Sequence, residues 1–366
     1  MRLLHVTPFY EPSWSYGGMA RASAGLCRAL ARRGHEVTVA TSRLDGSHPP
    51  EETLGGVRVR RLPGPNVLSR RLFPWAPGMR SLVFAESARS ALVHLHGHRS
   101  GIAWSAWRAL AETRTPWVLQ THGTFPHHGQ LGLAKALFDR VAGDRIVADA
   151  DALVAVSHAE AHDLPRTAHV VPNGVDDAPV NPGSKASRAP RLLFVGTDRR
   201  QKRASVLPEL LAGLPDVALD LVGTFRPAFL GRFASLGHRV VARGILGGAE
   251  LGVAYAEADL VVHPAVGEAF GLVPFEAALR GTATVVAGGH GCGEWFARAG
   301  GCVVAPDDPV ALSTAVRERL ADRALAAREA LAVAQFARRE LTWERAAEAV
   351  EAVYDAVLEA RCVGAR

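Results

Sequence analysis

The sequence predicts an α/β protein made of two parallel-sheet domains, and three observations carry that expectation. Short apolar runs alternate with segments of helical spacing from Leu3 onward, a turn-rich stretch at 179–190 interrupts them, and the alternation begins again at Arg191. A length of 366 residues suits two domains at roughly 100 to 200 residues each, divided as 1–180 and 190–344.

Each element follows from its local pattern. Leu3 to Val6 is a short apolar strand, Thr7 to Gly18 a loop rich in Pro, Gly and aromatic residues, and Ala20 to Arg33 a helix whose apolar stripe runs through Ala24, Cys27, Leu30 and Ala31. Gly34 ends that helix and Val37 to Ala40 is the next strand, so the first forty residues form a β-α-β unit. Strands at Leu92–Leu95, Trp117–Leu119, Ala152–Val156 and His169–Pro172 alternate with helices at Ile102–Leu110 and around Leu131–Val141. After the linker come strands at Arg191–Val195, Ala218–Val222, Arg239–Ala242, Leu260–His263, Thr284–Ala287 and Cys302–Ala305. From Pro309 the chain reads as helical and alanine-rich, with a punctuating turn at Leu341–Arg345 before a last helix at Ala346–Ala360. Sheets of this kind bind ligands at the carboxyl ends of their strands, so a cleft between two facing domains is the expected site.

Composition narrows the class. With 48% apolar and 21% charged residues the chain has ample material for two cores, and no run approaches the roughly 18–20 apolar residues of a membrane span. The start, Met1 to His5, leads into a strand and does not read as a signal peptide, which predicts a cytoplasmic protein. Cys27, Cys292, Cys302 and Cys362 are scattered without a CxxC pair and read as reduced packing residues. The net charge of +6 belongs to the first half: residues 1–180 carry +5 and residues 181–366 carry +1. Arg60, Arg61, Arg70 and Arg71 flank a Pro-rich, aromatic run containing Pro63, Pro65, Phe73 and Trp75. On a loop these residues are compatible with resting at the inner face of an anionic membrane or with receiving a charged acceptor; a plain solvated surface is the alternative. No dense basic stripe or recognised module points to nucleic acid.

The most informative motif runs from Gly267 to Ala278. A buried strand stopped by Pro264 leads into a glycine turn and a helix start, so Glu268 lies in the loop and Glu276 on the first helical turn, on either side of Gly271. Pro274 suits a first turn because it has no N–H to lose, and the unpaired N–H groups there favour a diphosphate. Carboxylates do not bind phosphate; they accept hydrogen bonds from sugar or ribose hydroxyls.

In order along the chain, these motifs resemble those of a retaining glycosyltransferase of the GT-B architecture, two Rossmann-like domains facing across a cleft, in family 4. The resemblance rests on Gly17-Gly18 with Arg21, on Arg33 to Val37, on His94, His96, Gly97 and His98, on Thr121-His122-Gly123, on Val171 to Asp176, and on Glu268 and Glu276 separated by seven residues. It implies transfer of a hexose from a nucleoside-diphosphate sugar, UDP- before GDP-, to an acceptor hydroxyl in cell-envelope, exopolysaccharide or secondary-metabolite glycoside synthesis. It implies no cofactor and no metal, and a last helix, about 345–366, that rejoins the first domain. Among the residues, it places His122 beside the transferred sugar, Glu268 on sugar hydroxyls, the N–H groups of Phe270, Gly271 and Leu272 on sugar and phosphate, and Glu276 on the ribose. Gly17, Gly18, His96 and Trp75 fall on the acceptor side, with Gly18 also near the diphosphate. Lys202 occupies the lysine position of the diphosphate clamp, but Thr197 stands where relatives carry arginine, leaving Arg199 or Arg200 to supply that charge.

Other readings of the same residues remain. Alternation along a strand would put His94, His96 and His98 on one face, a spacing that imitates a metal site. The glycine loop from Gly288 to Glu294 is one residue short of the usual form and is unassigned. Thr197 makes a catalytically silent sugar-nucleotide-binding partner subunit conceivable, and an epimerase or phosphorylase of related fold is a further rival. A dinucleotide oxidoreductase lacks its GxGxxG turn after the first strand.

Overall fold

The computed structural model describes residues 1–12, 17–43, 48–64, 73–125, 132–177 and 189–364. Pro65, Arg70, Arg71, Leu131 and most of the expected linker lie outside them. The chain divides into two compact units: Met1–Gly174 with Trp343–Arg366, and Val175–Thr342. These divisions differ from those expected at 180–190 and at 344.

The first unit is built on an eight-stranded sheet. Its strands are β1 (Arg2–Val6), β2 (Glu36–Arg43), β3 (Glu51–Leu54), β4 (Val57–Pro63), β5 (Leu92–His96), β6 (Trp117–Gln120), β7 (Ala152–Ala155) and β8 (Ala168–Val170). They lie in the order β3-β4-β2-β1-β5-β6-β7-β8, all parallel except β3 against β4. Leu4, Val6, Val93, Leu95 and Leu119 point to one face and pack with Ile102, Leu110 and Ile146. On the other face, Leu3, Val37, Val39, Leu92 and Val118 pack with Leu26 and Leu30 of the helix Gly18–Arg32 and Val350 and Val353 of the helix Trp343–Gly364.

Several features depart from the sequence reading. The hairpin β3–β4 and the helix Met79–Ser87 were not expected. Arg60 and Arg61, assigned to a basic loop, lie on β4, where Arg60 pairs with Glu86; Arg61 is 3% exposed, pairs with Glu52 and donates to the Glu11 carbonyl at 2.7 Å. Neutralised in this way, they offer little to an anionic partner. The helix around Leu131–Val141 is a helix at Gly132–Phe138, a π-helical turn at Asp139–Gly143 and a second helix at Asp144–Asp149.

The final helix is fixed to the first unit by shape and charge. Its first residue, Trp343, lies against two glycines: a Cβ would come 2.2 Å from the indole at Gly25 and 2.5 Å from it at Gly174. Arg32 pairs with Glu344 at 2.6 Å, and Arg33 grips Glu351 with two nitrogens at 2.8 and 2.7 Å.

The second unit carries six parallel strands: β9 (Arg191–Thr197), β10 (Ala218–Thr224), β11 (Val240–Gly244), β12 (Leu260–His263), β13 (Thr284–Ala287) and β14 (Cys302–Val304). Their order, β11-β10-β9-β12-β13-β14, reverses direction between β9 and β12. Loops leaving the carboxyl ends of two such strands diverge to opposite faces and open a crevice. Where β9 and β10 end, Gly223 has φ +130° and an added Cβ would sit 1.8 Å from the Gly196 carbonyl oxygen, so only glycine fits.

The contact of Trp343 with Gly25 is directly testable. Gly25→Ala should lower unfolding free energy by about 1–3 kcal/mol through overpacking, whereas Gly18→Ala, where a Cβ meets nothing within 4 Å, should change it by less than about 0.5 kcal/mol. Urea unfolding followed by tryptophan fluorescence measures both.

Candidate active site

In the second unit the predicted donor residues gather at the reversal between β9 and β12. Arg200–Lys202 forms a single 3-10 turn after β9, and Pro264–Gly271 follows β12. Three hydrogen bonds tie the loops together: Val266 N–H donates to the Gln201 carbonyl at 2.9 Å, Cys292 N–H to the Glu268 carbonyl at 3.1 Å, and the His290 ring donates to the Ala265 carbonyl at 2.8 Å. Lys202 Nζ donates to Glu268 Oε2, so two residues 66 positions apart form one ion pair. Burial alone would raise the Glu268 carboxyl, but Lys202 holds it below its ordinary value. Behind the pair, burial and the Lys202 charge push His263 down to about 3, keeping it neutral with Nε2 at 3.7 Å from Glu268.

Gly271 caps the helix Leu272–Ala278 with φ +75°, and a Cβ there would strike Cys292 Sγ at 2.5 Å. The turn thus requires glycine for conformation and space. The Phe270 ring is buried and stacks on Phe275 at 5.5 Å, which fixes the backbone at Gly271 and Leu272. Glu276 accepts from the Tyr255 hydroxyl at 2.8 Å, a partner the sequence reading missed. Arg199 and Arg200 are both exposed beside Lys202, while Arg203 pairs with Asp307 at 3.0 Å. The unassigned glycine loop becomes the start of the helix Gly291–Arg298, capped by His290.

In the first unit His122 sits in a tight turn beyond β6, with φ +52° followed by Gly123 at φ +74°. Left-handed backbone at a non-glycine residue persists only when its surroundings over-determine it. Glu160 does so from the helix His158–Asp163, accepting from Thr121 Oγ1 at 2.7 Å, from Gly123 N–H, and from Val156 N–H at 2.7 Å. Burial raises the Glu160 carboxyl despite these donors. Thr124 pins the far side: its carbonyl accepts from Arg99, itself forked onto Asp139, and its hydroxyl pairs with His98 Nδ1 at 2.8 Å.

The three strand histidines do not share a face. His5 and His94 are register partners, and His94 and His96 alternate on β5, so these three rings line one side of the sheet. β5 ends at His96; Gly97, at φ +72°, breaks the alternation and turns His98 onto Phe125, 4.5 Å between ring centres. His96 is fully buried, with Nε2 2.9 Å from His5 Nδ1 and Nδ1 2.8 Å from His122 Nε2, so it reaches a ligand only through His122. His94 stacks on His96 at 4.3 Å and pairs through Nδ1 with the Tyr354 hydroxyl at 2.6 Å. Ring nitrogens of His5, His94 and His96 lie within 4.8 Å of one another, close enough for a divalent cation. Both nitrogens of His96 are already engaged, so a cation there would have to break one of its two hydrogen bonds.

Gly17, at φ +91°, and Gly18 stand exposed at the start of the first helix with open space beside them. Trp75 is 44% exposed and lies with Phe73 against Gly101.

Comparison with known proteins gives the family of the chain. Residues 16–178 match the family described as Glycosyltransferase Family 4, and residues 189–322 match Glycosyl transferases group 1. A D-inositol 3-phosphate glycosyltransferase from Xylanimonas cellulosilytica is 32% identical over 97% of this chain and 95% of its own. Among solved structures, sucrose-phosphate synthase from Thermosynechococcus elongatus superposes with TM-score 0.78 at 22% identity, covering 98% of this chain and 99% of its own. Anabaena HepE in complex with UDP and glucose gives TM-score 0.75 at 18% identity, covering 97% and 100%.

The buried histidines make stability depend on pH. Burial pushes His5 down to about 3 and His122 to about 4, and pushes His94, His96 and His98 down as well. The unfolded chain, with histidines near 6.5, therefore binds more protons than the folded one once pH drops below that value. Stability present above about pH 6.5 should be lost toward pH 4, roughly 3 kcal/mol from the fully buried His5 alone. Urea unfolding at about pH 7 and about pH 4 measures the loss, which His96→Asn should reduce.

Proposed function

The chain belongs to glycosyltransferase family 4, a glycosyltransferase of GT-B type, and on that premise we propose that it moves a hexose with retention from a nucleoside-diphosphate sugar to an acceptor hydroxyl. A uridine donor is favoured, in keeping with the UDP and glucose held by the similarly folded HepE. The acceptor belongs to cell-envelope, exopolysaccharide or secondary-metabolite glycoside synthesis, and the inositol phosphate in the name of the Xylanimonas relative makes a polyol phosphate a further acceptor to try. The observation that carries this reading is the Lys202–Glu268 ion pair at the reversal between β9 and β12, with Glu276 on the helix that follows the same loop.

Each residue then has a role set by its chemistry. Glu268 accepts from sugar hydroxyls and Glu276 from the ribose, while the N–H groups of Phe270, Gly271 and Leu272 meet sugar and phosphate. An ammonium has three donors, so Lys202 keeps Glu268 and still reaches the diphosphate. As the glycosidic bond breaks, charge builds on the leaving diphosphate, and Lys202 with Arg199 or Arg200 offsets it without a metal. Attack comes from the same face, assisted by the departing phosphate, and no side chain serves as nucleophile. His122 lies beside the transferred sugar; Gly17, Gly18 and Trp75 meet the acceptor. Thr197 in the clamp supports one competing reading, a silent nucleotide-sugar-binding subunit.

The first unit also carries a surface suited to the inner face of an anionic membrane. On the helix Gly132–Phe138 and the turn after it, Leu133 is 91% exposed, Leu137 64% and Val141 62%. Phe138 meets the exposed Phe73 edge-on at 5.4 Å, and Lys135 and Arg140 lie on the same stretch. Apolar residues four apart with interspersed cations suit an interfacial helix.

Incubation with a panel of nucleotide sugars and polyol-phosphate, lipid and glycan acceptors should release nucleoside diphosphate. Tight nucleotide binding with no turnover would favour the silent subunit. Glu276→Ala should weaken nucleoside-diphosphate binding by about 1–3 kcal/mol in calorimetry, and unchanged affinity would remove its ribose role. Lys202→Ala should lower kcat by roughly 100- to 1,000-fold. Sedimentation with anionic vesicles should capture the protein and release Leu133→Asp/Leu137→Asp; equal recovery of both would dismiss the surface.

A further inference from the structure

The buried histidines fix more than stability. Each neutral imidazole carries one N–H and one lone pair, so two rings joined by a hydrogen bond constrain each other's tautomer. His122 Nε2 meets His96 Nδ1 at 2.8 Å and His96 Nε2 meets His5 Nδ1 at 2.9 Å, which makes three rings one series. The whole series has two arrangements: every proton on Nδ1, or every proton on Nε2. Its inner end decides between them. His5 Nε2 is buried with no hydrogen-bond partner among the described residues. A buried N–H left unpaired is rarer than an acceptor left unpaired, so that nitrogen is better bare. His5 then donates from Nδ1 to His96 Nε2, His96 donates from Nδ1 to His122 Nε2, and His122 is left with its proton on Nδ1. Among the described residues no group pairs with that outer nitrogen.

We propose that His5 and His96 are positioning residues that polarise a series of neutral imidazoles, so that His122 offers an Nδ1–H donor, and not a base, at the Thr121–Gly123 turn. The ligand class is a hydroxyl or other uncharged oxygen acceptor. Its identification as a hydroxyl of the transferred sugar rests on the function proposed above; the tautomer itself does not. A bare Nδ1 would accept a proton from an attacking hydroxyl, whereas the Nδ1–H form can only donate. Fixing the tautomer from within the core thus gives His122 a single role. The stack of His94 on His96, with the Tyr354 hydroxyl on His94 Nδ1, holds the His96 ring in plane from the side.

Long-range proton–nitrogen NMR spectra of the ligand-free, histidine-labelled protein near neutral pH test this directly. His5, His96 and His122 should each show a protonated Nδ1 and a bare Nε2; a protonated Nε2 on wild-type His122 overturns the proposal. His5 does not touch His122, so the second arm is remote. His5→Leu should leave His122 in a mixture of tautomers, and His5→Asn, whose amide nitrogen can stand near the Nδ1 position, should restore the wild-type pattern. Unchanged His122 signals in a folded His5→Leu protein would overturn the relay. Should that variant not fold, the wild-type and His5→Asn spectra decide. If the wild type transfers sugar, His5→Leu should lower kcat/KM about five- to tenfold with recovery in His5→Asn. Absence of transfer by the wild type counts against the proposed function and leaves the tautomer result standing.

Discussion

Much of the first unit depends on one packing contact, the Trp343 indole lying against Gly25 and Gly174 where neither position has room for a side chain. That contact sets where the last helix begins, and the pairs Arg32–Glu344 and Arg33–Glu351 set its direction. The helix then covers a sheet face that carries not only Leu3, Leu92 and Val118 but also His5, His94 and His96. A polar row inside an apolar layer is costly unless its members satisfy one another. Here His96 pairs through both ring nitrogens and Tyr354 arrives from the covering helix to meet His94 Nδ1, leaving only His5 Nε2 and His94 Nε2 of this row without a partner among the described residues. Packing, burial and the neutral state of these rings are therefore consequences of the same closure.

The second unit solves a different problem, holding a half-buried carboxylate in a loop without losing its charge. Glu268 remains ionised because Lys202 stands next to it, and Lys202 stands there because the loops after β9 and β12 are bonded to each other and to the loop after β13. Removing either partner leaves a partly buried ion without its counter-charge, which costs more than the pair itself contributes. A ready-made pair also spares the protein from assembling opposite charges at the moment a ligand arrives. The two histidines behind it, His263 and His290, stay neutral and so do not compete with Lys202 for the carboxylate.

The sequence exposed those parts of the fold whose signals are local. Runs such as Leu92–Leu95 and Thr284–Ala287 are almost wholly apolar because parallel strands are covered on both faces, and they were legible. The β3–β4 hairpin was not, since its charged strands at a sheet edge look like a surface loop; the Gly55-Gly56 turn and the alternation of Val57 and Val59 were the available signs. The donor motif could be read because its glycine, proline and glutamates are adjacent in the chain. Glu160 could not, because it lies 37 residues from Gly123 and only the fold brings it to the turn. His5 was hidden inside an apolar run, and its partnership with His94 is a matter of strand register. His98 was misplaced by an alternation rule that Gly97 interrupts.

The return of the last helix to the first unit also bears on how the protein is made. The second unit is a continuous segment, Val175–Thr342, and can fold as soon as it leaves the ribosome. The first unit, although its earlier part is synthesised first, lacks Trp343 and Tyr354 until the whole second unit has been made. During that interval its histidine-bearing face and the Gly25 site stay without the helix that covers them. A stop codon shortly before Trp343 would leave the second unit's strands intact and make this exposure permanent in the first.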